Sequence, residues 1–250
     1  MTSLNPVKRF LRAFFVIAWF NGYLNLRRSP FSVANFVLTP LSILFFIYIF
    51  GGANAATYGL VGGVVAVTVS SSIVLETDAA FTRIVLKIQD MFVSSPVHPA
   101  AYVGGLALSE IISGIAGIVL FGGLLGYYHA VTATGFFIIL VTVVLLWVCI
   151  SSLGFLLSTF ARDVRDLWVY SPILTMLLSF LPPVYYPLEI VPSYLHPVAY
   201  LAPTTFAAQA IRGAAHITHA DALVSLGGLA LYTVILVAIV GRRIRWRSKQ

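Results

Sequence analysis

The stretch that decides the fold is FSVANFVLTPLSILFFIYIFGGANAATYGLVGGVVAVTVSSSIVL, residues 31–75. It contains no Asp, Glu, Lys or Arg, and the charge-free run already begins at residue 29. A helix needs about 20 apolar residues to cross the hydrocarbon core of a bilayer. The run therefore has room for two membrane-spanning helices that turn near GGANAAT, residues 51–57.

The rest of the chain continues this pattern. Of its 250 residues, 60% are hydrophobic and 9% are charged, whereas a soluble domain carries about 25% charged residues. We interpret the chain as an all-α integral membrane protein with six transmembrane helices, at residues 31–50, 58–76, 101–127, 135–160, 168–186 and 222–241. Runs such as FFIILVTVVLLWV are apolar on every face, which favours helices over the alternating strands of a β-barrel.

The basic residues predict the orientation, because cytoplasmic loops carry an excess of Lys and Arg. If the N-terminus is cytoplasmic, all 15 Lys and Arg residues except Arg212 lie in cytoplasmic segments. We therefore predict that both termini are cytoplasmic, in a multi-pass protein of the cell (inner or cytoplasmic) membrane. Contact with anionic membrane lipids explains the net charge of +7, so no nucleic-acid partner is expected.

We predict one transmembrane domain over residues 1–250, which ends in a basic cytoplasmic tail at 242–250. Residues 1–28 are predicted to form an amphipathic helix in the cytoplasmic interface. Lys8, Arg9 and Arg12 would share one face of that helix, and Phe10 and Phe14 would lie on another. A short additional span is the alternative for this segment.

Residues 76–99 join the second span to the third. Arg83, Lys87 and Asp90 are spaced i, i+4 and i+7, so they would share one face of a helix. Pro96 and Pro99 would then break the helix before the third span. We predict a cytoplasmic helix and a sharp turn, suited to docking a cytoplasmic partner; an ordinary solvated loop helix is the alternative.

The sequence holds few signs of catalytic chemistry. It lacks the P-loop G-x-x-x-x-G-K-[ST], H-E-x-x-H, G-x-S-x-G and G-x-G-x-x-G, and HITHAD (residues 216–221) is only a weak candidate for a metal site. No metal or cofactor is predicted to bind directly, and Cys149, the single cysteine, excludes an intrachain disulfide. Glu110 is the one acidic residue predicted within a span, and no second acidic group is expected beside it.

Between the fifth and sixth predicted spans lies LPPVYYPLEIVPSYLHPVAYLAP, residues 181–203, with six prolines. The region 187–213 is too long for a tight turn and too apolar for a solvated loop. Non-helical backbone at membrane depth is tolerated against protein or a water-filled cavity. We therefore predict a re-entrant helical hairpin that dips into the outer leaflet.

Together these features resemble the membrane subunits of type-2 ABC exporters, and the likeness covers nearly the whole chain. MFVSSPVHPAAYVGG (91–105), PLEIVP (187–192) and YLAPTTFAAQAIRG (200–213) are similar to segments of that family. The resemblance implies a permease subunit of an ATP-driven exporter, not an enzyme by itself. It would dimerise with a second permease subunit and couple to a separate P-loop ATPase subunit, which would hold ATP and Mg²⁺.

The resemblance also implies roles for particular residues. The coupling residues would be Glu76, Arg83, Lys87 and Asp90. The outer gate would comprise Pro182, Pro183, Tyr185, Tyr186, Pro187 and Glu189. The pathway would lie at the dimer interface, lined mainly by the first, second and fifth spans.

The cargo is expected to be amphipathic: drug-like, a lipid or a lipid-linked glycan. Two other functions remain open. An ATP-independent secondary transporter or channel would use Glu110, and a membrane-embedded enzyme would need acidic or His side chains that converge at membrane depth.

Overall fold

The computed structural model describes residues 5–28, 30–87 and 97–243, and every regular element in these ranges is helical. This confirms the all-α prediction for the described part of the chain. The helices are α1 (Pro6–Arg28), α2 (Pro30–Ile73), α3 (Leu75–Ile84), α4 (Pro99–His129), α5 (Ala133–Phe160), α6 (Val164–Ser179), α7 (His196–Ala199), α8 (Pro203–Ala214) and α9 (Ala222–Arg243). Two 3₁₀ turns, Leu188–Ile190 and Ser193–Leu195, precede α7.

Four helices within the described ranges are long and apolar enough to cross a membrane. They are Ala34–Ile84, Pro99–His129, Ala133–Phe160 and Ala222–Arg242. Their positions cover five of the six predicted spans, because the first of them is 51 residues long. The chain is therefore a multi-pass membrane protein.

The longest of these helices turns back on itself at Gly52. This glycine has φ 70° and ψ −170°, a conformation that residues with a Cβ rarely adopt. A Cβ at Gly117 of α4 would meet both Val67, at 2.9 Å, and Val37, at 3.5 Å. On one straight helix these two valines would be about 45 Å apart. Residues 30–51, the first limb, and residues 53–73, the second limb, are therefore antiparallel.

The second limb forms the centre of the bundle. Val61, Val64 and Val67 are fully buried there, in the same cluster as Phe121 of α4 and Leu146 of α5. Two consecutive glycines let neighbouring rings approach the limb: a Cβ at Gly63 would collide with Phe121, and one at Gly62 would collide with Tyr185. The small residues of this limb thus determine how closely its neighbours pack.

The predicted fifth span, 168–186, is shorter in the structure. Its helix, α6, begins at Val164 and ends at Ser179. Sixteen residues give a length of about 24 Å, less than the roughly 30 Å of a typical hydrocarbon core. The helix ends early because Pro182 and Pro183 cannot donate to its final carbonyls.

The segment 187–213 packs against the bundle as a chain of short helices. Phe206 of α8 lies against Gly228 of α9, where a Cβ would meet its ring at about 2.5 Å. The Tyr232 hydroxyl of α9 donates to the Tyr200 carbonyl oxygen at 3.0 Å. Most of α8 is buried, including Ile211. The helix α8 is therefore part of the folded core, whereas the two 3₁₀ turns and α7 contain no buried residue.

The helix α1 lies along α4. Phe14 packs beside Gly104, and Ile17 packs beside Gly105. The opposite side of α1 is exposed and apolar, with Phe15 at 58% and Trp19 at 72% exposure. The helix α1, which lies within the predicted segment 1–28, thus has one side on the bundle and one side exposed in the single chain.

The helix α5 extends between two ends of the bundle. Near its start, Gly135 packs directly on the carbonyl oxygen of Ala214, close to Arg212. Near its finish, the carbonyl of Ser158 binds Arg83. Residues 135 and 158 are about 35 Å apart along the helix axis. We call these the Arg212 end and the Arg83 end.

Candidate functional site

A central cleft of about 650 Å³ lies between the two limbs of α2 and α6. Its wall carries polar side chains spaced along all three segments and also on α3: Asn35, Thr39, Ser70, Thr77, Ser171, Thr175 and Ser179. Apolar groups such as Phe36, Ile43 and Met176 lie between them. The cleft thus offers an amphipathic surface, and it is formed by the segments that correspond to the first, second and fifth predicted spans.

Tyr185 lines this cleft at the Arg212 end. Its side chain is 8% exposed, and its ring stacks on Phe180 with centroids 5.4 Å apart. The other edge of the ring presses on Gly62. The Tyr185 hydroxyl is buried without a hydrogen-bond partner among the described residues. A phenol hydroxyl in this position can form a hydrogen bond with a polar group of a molecule that enters the cleft.

Arg212 fixes the loop that carries Tyr185. Its Nη2 donates to the carbonyl oxygens of Pro183 at 2.9 Å, Val184 at 2.6 Å and Tyr186 at 3.1 Å. The guanidinium also lies 5.0 Å from the centroid of the Tyr58 ring, a cation–π contact. The side chain is 2% exposed.

Sequence reasoning missed Arg212 as a site residue. Two signals were present: it was the one basic residue predicted outside the cytoplasm, and it lies in the AIRG segment that resembles the exporter family. A lone Arg among apolar residues must bind polar groups internally if it is buried. The irregular backbone at 183–186 supplies such groups.

The other predicted gate residues surround the same loop. Pro182 and Pro183 are buried, and the Tyr186 hydroxyl donates to the Leu181 carbonyl oxygen at 2.7 Å. Pro187 precedes the 3₁₀ turn Leu188–Ile190. Glu189 is exposed, but its negative charge interacts electrostatically with Arg212. The structure therefore brings the predicted gate residues together around Arg212.

Arg83 binds backbone at the opposite end. Its Nη2 donates to the carbonyl oxygens of Ser158 at 2.6 Å and Ala161 at 2.9 Å, and its Nη1 donates to that of Thr159 at 3.3 Å. These carbonyls end α5, where a helix leaves its last acceptors unpaired. The positive charge also complements the negative end of the helix dipole.

The prediction that Arg83 and Lys87 share one face of a helix is wrong. The helix α3 ends at Ile84, because Val85 and Leu86 both donate to the carbonyl oxygen of Phe81, at 3.0 and 3.1 Å, which ends the regular ladder. Lys87 then has φ 52°, outside the helical region. Asp90 lies outside the described residues. Arg83 and Lys87 therefore do not share a helix face.

Glu76, predicted in the cytoplasmic loop, is fully buried. It lies in the first turn of α3, where its backbone passes close to Gly154 of α5. Both carboxylate oxygens have no hydrogen-bond partner in the described part of the chain. The Ser171 side chain interacts with the carboxylate, but not at hydrogen-bonding geometry.

Glu110 is also buried, at 2% exposure. The Ser109 hydroxyl lies 3.3 Å from its Oε1, and the Asp78 side chain interacts with it. The expectation that no second acidic group accompanies Glu110 was wrong. Asp78 is 32 residues away in sequence, and the packing of α3 near α4 brings the two carboxyls together.

The weak metal candidate at 216–221 has a structural role in part. Asp221 accepts hydrogen bonds from the Leu223 and Val224 backbone N–H groups, at 2.9 and 3.4 Å, and so caps α9. In the described residues, no group of three or more His, Cys, Asp or Glu side chains could hold a metal ion.

Comparison with protein-family models gives a match over most of the chain. A family model described as ABC-2 type transporter matches residues 12–215. The match includes all three helical segments that line the central cleft, and also Arg83 and Arg212. A comparison with curated proteins found no match.

Proposed function

The chain belongs to the ABC-2 type transporter family, and from this premise we propose that it is the permease subunit of an ATP-driven exporter. The observation that carries the proposal is the central cleft, an amphipathic groove between three helical segments with Tyr185 in its lining. A pathway lined by both hydroxyls and apolar groups suits an amphipathic cargo. Such a cargo is drug-like, a lipid or a lipid-linked glycan.

We place the chain in the cell (inner) membrane with six spans: the two limbs of α2, then α4, α5, α6 and α9. Both termini and the Arg83 end face the cytoplasm, and the Arg212 end faces outward. The excess of basic residues on one side supports this orientation. The helix α1 lies in the cytoplasmic interface among lipids, and the segment 187–213 lies in the outer leaflet.

The pathway is completed by a second permease subunit, either an identical copy or a paralogue. Large apolar side chains next to the central cleft are exposed in the single chain, and these support an interface. They include Trp168 of α6 and Phe180 just beyond it, both of which line the cleft. Met176, at the rim of the cleft, is 64% exposed.

A separate P-loop ATPase subunit, which holds ATP and Mg²⁺, docks between residues 76 and 99. Arg83 supports this proposal, because it joins the segment to the end of α5. A force on α3 reaches α5 through these bonds. At the other end of α5, Gly135 touches α8, which carries Arg212. In this proposal, movement of the ATPase is transmitted along α5 to the loop at residues 183–186.

The test is purification of the tagged chain from its native membrane in mild detergent, followed by mass spectrometry. A stoichiometric P-loop ATPase is the expected result. If the chain is recovered without a nucleotide-binding partner even after cross-linking, ATP coupling is rejected.

The interface has its own test. The single native cysteine, Cys149, is buried, so Met176→Cys provides a new accessible thiol. A short bifunctional cross-linker should join two chains through this position. Phe137→Cys on α5, 64% exposed and outside the cleft lining, is the control and should not cross-link. Equal cross-linking at both positions would contradict the interface.

The second candidate is an ATP-independent transporter, and the interaction between Asp78 and Glu110 favours it. Two carboxyls in contact at membrane depth can bind a proton or cation between them. This candidate predicts transport by the chain alone, driven by an ion gradient in liposomes and abolished in Glu110→Gln. The exporter predicts no transport without the ATPase.

A further inference from the structure

A second cleft, which we call the side cleft, lies on the opposite face of α6 from the central cleft. It has a volume of about 450 Å³ and lies between α6 and the end of α5. Ser171 and Thr175 face the central cleft, whereas Tyr170 and Ile173 face the side cleft. This division follows from the helical period, because consecutive residues point to different sides.

The side cleft is apolar and aromatic except at its floor and rim. Leu157, Phe160, Tyr170 and Ile173 form much of the wall. Glu76 lines the cleft although it is fully buried, so its side chain lies at the narrow bottom. An apolar pocket with few polar groups is typical of sites for small organic ligands.

The carboxylate of Glu76 has no partner that satisfies it within the described chain. Buried polar groups are nearly always hydrogen-bonded, and an ionised carboxylate without a partner is costly. The neighbouring face of α5 supplies none, because Gly154 is the residue that packs on the Glu76 backbone. The Ser171 side chain interacts with the carboxylate, but neither oxygen has a described donor at hydrogen-bonding geometry, so both can accept a hydrogen bond from a ligand.

The local charges indicate the sign of that donor. Glu76 is an acidic residue at the start of α3. Asp166 adds a second carboxylate to the lining. Arg162 also lines the cleft but is exposed, and Arg83 binds the carbonyls that end α5. Neither arginine hydrogen-bonds to Glu76.

We propose that the side cleft binds an amphipathic molecule that carries an ammonium group. The ammonium donates to Glu76 at the floor, and the apolar body packs between Phe160 and Tyr170. Aromatic faces favour a cation beside them. The ammonium belongs either to a small amine or to the headgroup of an aminophospholipid. This binding goes beyond the proposed export, because it requires neither an ATPase nor a second permease subunit.

The test uses the full chain in a nonionic detergent and dansylcadaverine, a fluorescent primary amine. Its matched control is the N-acetylated derivative, which has the same apolar body and no positive charge. We expect saturable binding of the amine and at least tenfold weaker binding of the acetylated probe. Glu76→Gln should weaken amine binding at least tenfold and leave binding of the acetylated probe unchanged.

Two further variants keep the result interpretable. Asp221→Asn removes a carboxylate at the Arg212 end and should bind the amine like the wild type. Ile173→Trp fills the cleft from a side chain that is 50% exposed, so it should abolish binding without loss of the fold. Competition by phosphatidylethanolamine would assign the site to a lipid headgroup, and absence of competition would assign it to a small amine.

Equal affinity for the amine and its acetylated derivative would overturn the proposal. So would unchanged amine binding in Glu76→Gln or in Ile173→Trp. If Glu76→Gln does not fold, Ile173→Trp and the pair of probes decide alone. The ATPase purification described above is independent of these measurements, so failure of one proposal leaves the other testable.

Discussion

Arg83 and Arg212 make the same kind of contact at opposite ends of the bundle, and the difference between them is instructive. Each guanidinium donates to three backbone carbonyls. Arg83 is half-buried and binds the last carbonyls of α5, a helix whose other backbone groups are hydrogen-bonded within the helix. Arg212 is 2% exposed and binds a loop whose carbonyls have no helix to satisfy them. Arg83 caps a helix that is already formed, whereas Arg212 supplies the hydrogen bonds that hold the loop at residues 183–186 in place.

The largest effect should follow Arg212→Ala. Three carbonyls at residues 183–186 lose their donor, and each buried unsatisfied acceptor costs about 1–3 kcal/mol. We expect a loss of at least about 3 kcal/mol in the free energy of unfolding, measured by thermal unfolding in detergent. Arg212→Lys is the control: its ammonium lacks the planar fork, so it should recover only part of the loss. Full recovery with Lys would show that charge alone holds the loop.

Gly62→Ala is the second test at the Arg212 end. Its Cβ would collide with the ring of Tyr185, and overpacking of this kind costs about 1–3 kcal/mol. Gly122→Ala is the matched control on α4, because a Cβ there meets nothing within 4 Å. Adding Tyr185→Ala to Gly62→Ala should remove the clash, so the two changes should not be additive. Additive losses of stability would show that the ring of Tyr185 does not pack on the second limb.

Arg83→Ala should have a smaller effect, about 1 kcal/mol. Water can replace the guanidinium at a half-exposed helix end, so few acceptors stay unsatisfied. Amide hydrogen exchange provides the sharper measurement. Protection should fall at the end of α5 and around residues 80–86, and it should stay unchanged at 183–186. A global loss of protection comparable to that of Arg212→Ala would contradict the distinction between the two ends.

The smallest effect should come from Asp221→Asn, within about 0.5 kcal/mol of wild type. Asn caps a helix about as well as Asp does, whereas Asp221→Ala should cost about 1 kcal/mol. Both variants lie at the Arg212 end, and thermal unfolding compares them directly. Their modest effects would show that burial of Arg212, and not its location, makes it important.

The sequence predicted the features that depend on long apolar runs. The turn near 51–57 contains Gly52, and helices lie over the predicted spans in α4, α5 and α9. Hydrophobic runs identify such helices because lipid-facing sides must be apolar all along their length. The cleft is lined by the three segments that the resemblance implied for the pathway, and the pathway itself, at a dimer interface, stays a prediction.

The features that depend on where elements stop or meet were not predictable. The spacing of Arg83, Lys87 and Asp90 shows only which side chains would share a face if the helix continued. The helix α3 ends before Lys87. The pairing of Asp78 with Glu110 joins residues on different helices. Glu76 was predicted in a loop because it is charged, yet Gly154 allows α5 to cover it. Each of these results depends on tertiary packing, which cannot be deduced from the spacing of residues along one element.

The turn at Gly52 also has a consequence for how the protein enters its membrane. Translocating a Lys, Arg or Asp at the centre of a helix costs about 2.5–3.5 kcal/mol on insertion scales. The run from residue 29 to residue 75 carries no such group, and its tip is two glycines followed by small residues. We expect the two limbs to insert together as one preformed hairpin, with no charge to carry across the bilayer. The glycine that allows the limbs to pack would then also shape the first step of biogenesis.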